Sequence, residues 1–186
     1  MSPLPVLAVV ISAFALLSTP AHSLGPAVVL YSAGNFAGGS IGSRTSANGL
    51  CNTGTATTAQ CGGSQVAFIA YLGDTLVNFP TAHSISAALP VKDQNGVWLA
   101  KNYASLFVRN GTIPYVQYSS AFWTGSTLDG TAVSFGAANC GAWSSLTSAG
   151  TVGSLASPSI AIGNDVSYVQ GCSLTYQLLC VCNGQV

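Results

Sequence analysis

Apolar residues in this chain fall in short runs separated by Gly-, Ser- and Thr-rich stretches, a pattern that predicts strands and loops with little helix. Residues 27–31 form a short apolar run that ends in a turn-rich, glycine-rich stretch, residues 32–42. Residues 65–72 are continuously apolar over a strand's length, which predicts a buried strand. Residues 46–51 open a helix, with Ser46 as cap and Leu50 facing inward. Residues 75–80 read as a turn or a short helical piece, and residues 96–100 and 104–108 as apolar segments either side of Lys101-Asn-Tyr103. Residues 121–123 end a strand capped by Gly125, and residues 176–182 alternate into a last strand before Asn183-Gly184. The Ser/Thr/Gly/Ala-rich stretch 144–157 is expected to be a long exposed loop. No internal repeat and no second domain are visible, so the fold class is α+β: mostly short strands and long loops, with one or two helices.

The N-terminus is read separately. Residues 4–17 carry no charge but fall short of the ~20 residues needed to span a bilayer. Pro20 breaks the run, and small residues suited to signal peptidase follow. Cleavage after Ser23, with Ala21 three positions into the site, and cleavage after Ala21, with Thr19 in that place, are both acceptable. Residues 1–23 are therefore read as a secretory signal peptide and residues 24–186 as a single domain. The remaining cysteines are Cys51, Cys61, Cys140, Cys172, Cys180 and Cys182, an even number behind a signal. That count predicts three disulfides in an oxidising, extracellular compartment. A zinc cluster is the competing reading, but Cys180-Val-Cys182 has a one-residue spacer where zinc pairs usually have two or more.

Charge then narrows the function. Only 4% of the chain is charged and the formal net charge is zero. Two Arg and two Lys cannot build the basic stripe that tracks a phosphate backbone, which excludes nucleic acid as a partner. The same scarcity argues against anionic membranes and sulfated polysaccharides. Disorder is excluded as well, because 49% of the residues are hydrophobic.

Several stretches together resemble the endostatin domain that ends the multiplexin collagens. They are Phe122-Trp-Thr-Gly-Ser-Thr-Leu-Asp-Gly130, Asn139-Cys-Gly-Ala-Trp143, Gly171-Cys172 and Gln177-Leu-Leu-Cys-Val181. Upstream, Val28-Val-Leu-Tyr31, the glycine-rich turn, Cys51, Val66-Ala-Phe-Ile69, Leu89-Pro-Val-Lys-Asp93, Trp98 and Ser105-Leu-Phe107 follow the family's order. The resemblance covers residues 27–182 and implies a variant of the C-type lectin-like fold. It also implies two nested disulfides, Cys51–Cys180 and Cys140–Cys172, and leaves Cys61 and Cys182 to pair with each other. Cys180 and Cys182 share a strand face, so the swapped scheme, Cys61–Cys180 with Cys51–Cys182, stays open.

The family's zinc and heparin chemistry does not carry over. Zinc is implied on histidines near the mature N-terminus and a mid-chain Asp. Asp93 matches that Asp, but only His22 lies near the start, and it survives only if cleavage follows Ala21. His83 has no matching role. One His and one Asp make a poor zinc site, so no metal and no other cofactor is expected. Arg44 and Arg109 are too few and too scattered to replace the family's heparin-binding arginines. The Glu-Pro-Asn and Gln-Pro-Asp triplets of calcium lectins are absent, and there is no Glu at all.

Enzyme readings are weaker. Gly38-Gly-Ser-Ile-Gly42 matches a nucleophile elbow in form, and Ser40, His83 and Asp129 make a triad on paper. That motif needs a strand before it and a helix after it, whereas here it lies in a glycine-rich turn. Asp pairs for glycoside hydrolysis would come from Asp74, Asp93, Asp129 and Asp165, but Asp beside Gly or Asn is ordinary turn chemistry. Trp98, Trp123 and Trp143, with Tyr115 and Tyr118, are candidate ligand-contact aromatics, although each Trp sits in an apolar or Cys-flanked motif that suits a core. Asn110-Gly-Thr112 is an N-glycosylation sequon. The expectation is a secreted, non-catalytic, endostatin-like binding module of the extracellular matrix or cell surface, with a protein or glycan ligand. The alternatives are a calcium-independent carbohydrate-binding module and an inert structural coat component.

One prediction follows from these departures. The purified mature protein should contain no stoichiometric zinc and should elute from heparin at or below physiological salt. Metal analysis finding one zinc per chain, or retention well above physiological salt, contradicts it.

Overall fold

Two long strands from opposite ends of the chain set the architecture. The computed structural model describes residues 25–53, 60–107, 121–127, 129–133, 138–153 and 169–186. β1 runs Pro26–Ala37 and β8 runs Thr175–Gln185, and they pair antiparallel from Pro26↔Gln185 to Ala37↔Thr175. Between them come β2 (Val66–Ala67), β3 (Val91–Asp93), β4 (Trp98–Ala100), β5 (Phe122–Trp123), β6 (Ala149–Gly153) and β7 (Val169–Gly171). The sheet order among the described residues is β4-β3-β1-β8-β5-β6-β7, with β2 also pairing β8. β1–β3 and β5–β8 are parallel and the other pairs antiparallel, so the sheet is mixed.

Both faces of the central strands are covered, which is why residues 27–31 and 178–182 are unbroken apolar runs, and β8 is not the alternating strand expected. Val28 and Leu30 of β1 and Leu179 and Val181 of β8 face a layer with Phe68, Leu76, Phe79, Tyr103 and Leu106. Ala27, Val29, Tyr31, Leu178, Cys180 and Cys182 face the other layer, with Trp123, Trp143, Ala47 and Val152. The period of two assigns neighbours to opposite layers.

Helix is sparse: α1 spans Arg44–Thr53, α2 spans Phe79–Ala82, and short 3₁₀ turns lie at Gly38–Ser40, Leu76–Asn78 and Tyr103–Phe107. No helix among the described residues is long and apolar enough to cross a membrane. The protein is thus mixed α+β, mostly strand with few helices, and disulfide-bonded. Cys51 of α1 is joined to Cys180, Cys61 to Cys182, and Cys140 to Cys172.

Four further expectations change. The glycine-rich stretch after residue 31 is not a turn until Ala37: β1 continues through it with a register shift at Ser32/Gly34, where Gly34 has φ 126°. α1 begins at Arg44, and Ser43 rather than Ser46 caps it, its Oγ accepting the Ser46 N–H at 3.3 Å. Ala47 and Cys51, four apart, take the inward face and leave Leu50 half-buried. Only Val66–Ala67 of the run 65–72 is strand, and Leu72 is 71% exposed at the following turn. The second half of 144–153 is likewise no exposed loop, because β6 occupies it and residues 150–153 are buried, whereas Ser144, Leu146 and Thr147 are exposed. Gly150 and Gly153 there pack against Trp123 and Phe122, with no room for a Cβ. Residues 154–157, like 1–23, lie outside the described residues.

Cys140–Trp143 forms one left-handed helical turn, all four residues at φ between 54° and 66°. Such a turn costs ~1–2 kcal/mol per non-glycine residue, so neighbouring contacts must hold it. The Cys140–Cys172 bridge does so, together with the Asn139 side chain, which accepts the Ala142 N–H at 3.1 Å, and the Trp143 indole N–H, which donates to Ala70 O at 2.9 Å.

The bridges should contribute unequally. Cys51–Cys180 spans 129 residues, and closing a loop of that length stabilises by about 4–5 kcal/mol in the chain-entropy picture. Cys61–Cys182 spans 121 residues of nearly the same loop, so little further entropy is left to remove. Replacing Cys51 and Cys180 by Ser should cost more than replacing Cys61 and Cys182, because it leaves two hydroxyls at fully buried positions, whereas Cys61 is only partly buried. Replacing Cys61 and Cys182 should cost less than the ~2–5 kcal/mol usual for a native bridge. Urea unfolding and non-reducing peptide mapping check both statements, and a Cys140 peptide joined to anything but Cys172 contradicts the pairing.

Candidate functional site

Polar side chains gather at two places. The first lies between α1 and the segment that follows β2. Arg44 leaves the first position of α1 and donates through Nη1 to Ala67 O at 2.7 Å and through Nη2 to Ile69 O at 2.6 Å. These two bonds satisfy backbone that would otherwise need a ladder partner, so residues 68–70 stay buried without being a strand. The Nε of Arg44 lies 2.7 Å from Asp74 Oδ2, an ion pair without an aligned hydrogen bond. His83 Nε2 sits 2.9 Å from both Asp74 oxygens. The guanidinium stacks over Tyr71 at 4.3 Å and Phe79 at 5.1 Å from the ring centroids. Burial lowers the Arg44 pKa, opposed by the attraction of Asp74. The phenol of Tyr71, which donates to Gly42 O at 2.7 Å, is raised by burial. Arg44 and Tyr71 hold backbone carbonyls of neighbouring segments, while Asp74 and His83 pair side chain to side chain.

The second place is a cleft of about 380 Å³ at the end of the sheet where β1 begins and β8 ends. Pro26, Gln60, Gly62, Leu89, Asn183 and Gln185 line it. Asn183 is fully engaged on the 84–86 loop, accepting the Ser86 N–H and donating to Ser84 O, both at 2.8 Å. Gln60 donates through Nε2 to Gln94 O at 2.8 Å, which ties the cleft to the β3–β4 hairpin. The Oε1 atoms of both Gln60 and Gln94 are buried without a hydrogen-bond partner.

Asp93 builds the hairpin. Its Oδ1 accepts the Asn95 and Val97 N–H groups, each at 2.8 Å, and its backbone bonds Gly96 and Val97. Trp98 follows, opposite Lys92 in register. Its indole is 52% exposed, with the Lys92 ammonium 5.8 Å from the ring centroid. Lys92 Nζ also donates to Val186 O at 2.8 Å, beside the cleft residue Gln185.

The three tryptophans therefore separate. Trp123 and Trp143 are fully buried, edge to face at 5.9 Å, and are core residues rather than ligand contacts. Trp98 stands on the surface of an edge strand. Asp93, the residue matching a zinc ligand, is 1% exposed and holds a turn, and no histidine faces it. No three His, Cys or acidic side chains converge among the described residues. Ser40 Oγ donates to Ala37 O, His83 pairs with Asp74, and Asp129 accepts from Thr127 and Thr131. The paper triad is thus three separate sites. The bonds from Thr127 and Thr131 also hold the Asp129 carboxyl below its usual range. Asn110, Tyr115, Tyr118, Arg109, Asp165 and His22 lie outside the described residues. Sequence reasoning missed Arg44–Asp74 and the Gln60–Gln94 pair. The first had a signal, an isolated charge in a chain with few, while glutamines in polar stretches carry none.

Asp74→Asn should leave the Arg44 guanidinium without its counter-charge and lower stability by about 1–3 kcal/mol, read as a shift in the urea midpoint. Arg44→Lys should not substitute, because one ammonium cannot serve two carbonyls and two ring faces in the guanidinium's fork geometry. An unchanged midpoint in Asp74→Asn contradicts this. No protein-family model and no curated protein matches the chain.

Proposed function

We propose that the protein is a secreted, non-catalytic binding module of the extracellular matrix or cell surface, built as an endostatin-like variant of the C-type lectin-like fold. The observation that carries this reading is the bridge pattern. One disulfide ties the first helix to the last strand, and a second, Cys140–Cys172, lies inside its span, which is the nesting the sequence resemblance implies. Pairing of the first strand with the last supports the same reading. The non-catalytic part is supported by the scattering of Ser40, His83 and Asp129 among unrelated hydrogen bonds. Three disulfides support an oxidising compartment.

A second reading, calcium-independent carbohydrate recognition, is favoured by one specific observation. Trp98 stands half exposed on β4, the last strand of the sheet among the described residues.

Expression of the full chain through a secretory host tests the proposal. The mature protein should appear in the medium, begin at residue 22 or 24, contain no free thiol, and bind immobilised matrix extract or cell surfaces. Retention in the cytosol with reduced cysteines, or turnover of esterase or glycosidase substrates, counts against it.

A further inference from the structure

We propose that Cys61 is a thiol-exchange site: a small dithiol entering the cleft beside it opens the Cys61–Cys182 bridge ahead of the other two and unlatches residues 60–62 from β8. This reactivity is independent of what the protein binds. Burial separates the bridges. Cys51, Cys180, Cys140, Cys172 and Cys182 are all 0% exposed. Cys61 is only partly buried, and the residues after it, Gly62, Gly63 and Ser64, are exposed. Cys61 also lines the cleft of about 380 Å³, a volume in the small-molecule range, and no residue lining that cleft carries a charge to repel a thiolate. The other two bridges are covered. Cys140 Sγ packs against Gly38 and Gly150 beside the Trp123 ring, and Cys51 and Cys180 sit in the apolar layer with Ala47 and Ile69. Exchange rates depend on access to the attacked sulfur, so a reductant reaches those two only after local opening.

The segment this bridge holds lies along one edge of β8. Cys61 pairs antiparallel with Gly184, the Gly62 N–H donates to Asn183 O at 3.0 Å, and the Gln185 N–H donates to Gln60 O at 3.0 Å. The backbones touch: a Cβ at Gly184 would lie 2.1 Å from Gln60 O. β2 pairs the same edge further along, at Val66↔Val181, while β1 holds the opposite edge. Once the bridge opens, two backbone bonds and the Gln60 Nε2 donation to Gln94 O are what keep the segment in place. The rest of the fold does not depend on it, because Cys51–Cys180 closes nearly the same loop. The reaction is ordinary exchange. A thiolate of the dithiol attacks Cys61 Sγ, the bond between the two sulfurs breaks, and Cys182 leaves with its electron pair and takes a proton from water. The second thiol, giving its proton to water, attacks the mixed disulfide, closes a cyclic disulfide and frees Cys61, which is protonated in turn. Two electrons pass from the dithiol to the bridge, which ends as two thiols.

The test uses the oxidised, secreted full chain without denaturant, treated with graded dithiothreitol at mildly alkaline pH, where the reagent's thiolate is populated. Freed thiols are alkylated with a light label and the remaining cysteines, after full reduction, with a heavy one, and the peptides are mapped. Cys61 and Cys182 should be labelled together, at least about tenfold faster than the other four cysteines. Near-UV circular dichroism should persist at that stage, while the amide hydrogens of Gly62 and Gln185 exchange faster than in the oxidised protein. With a monothiol such as glutathione and an acid quench, the mixed disulfide should sit on Cys61. In unfolding urea, where nothing shields any bridge, all three should be reduced at similar rates.

Reduction of either other bridge first or at the same rate, a mixed disulfide on Cys182, loss of near-UV circular dichroism with the first bridge, or unchanged exchange at Gly62 and Gln185 each overturns the inference. Selectivity that persists in urea overturns it too, since it would then come from local sequence and not from the cleft.

Discussion

The β1–β8 ladder joins Pro26 to Gln185 and Ala37 to Thr175, residues from opposite ends of the described chain, and every other strand is placed relative to it. β3 pairs the outer edge of β1, while β2 and β5 pair β8. The two apolar layers exist only because this pair presents Val28 and Leu30 to one side and Val29 and Tyr31 to the other. Bringing such distant segments together carries a loop-closure penalty before any contact offsets it. Two disulfides that end on neighbouring positions of β8, Cys180 and Cys182, remove much of that penalty from the unfolded side. The ladder and its two staples are therefore one constraint.

Scarcity of charge gives the few ionic groups structural work. Arg44 serves two carbonyls, one carboxylate and two aromatic rings, and Asp74 answers both Arg44 and His83. Asp93 closes a hairpin and Asp129 a turn. Lys92 crosses a strand pair to reach Val186. With these groups committed, the described surface is left mainly to amides, hydroxyls and backbone.

Small residues do the complementary work. A Cβ at Gly38 or Gly150 would lie 2.5 Å from Cys140 Sγ and about as close to the Trp123 ring, so both glycines are contact surfaces for the bridge and the indole. The left-handed turn at Cys140–Trp143 is the counterpart: it aims Trp143 into the layer and Cys140 at Cys172, and the packing on both sides offsets its strain. Glycine-rich sequence here marks close packing of large aromatics and not loop.

The sequence by itself determined the strand-rich α+β class, the apolar cores of β1 and β8, and the presence of disulfides, because run length and an even cysteine count are local quantities. It also indicated turn chemistry at Asp129-Gly130, where the Asp129 carboxylate accepts from the Thr131 hydroxyl. Tertiary structure alone decided what each buried segment pairs with. Residues 68–70 are apolar enough for a strand, yet a guanidinium from α1 takes two of the carbonyls around them, and no local pattern encodes that capture. The tryptophans carry the same lesson. All three sit in apolar or cysteine-flanked motifs, but Trp123 and Trp143 lie between two covered faces while Trp98 falls on the last strand of the sheet, with nothing beyond it among the described residues. Exposure depends on a residue's place in the sheet order, and sheet order is a property of long-range pairing.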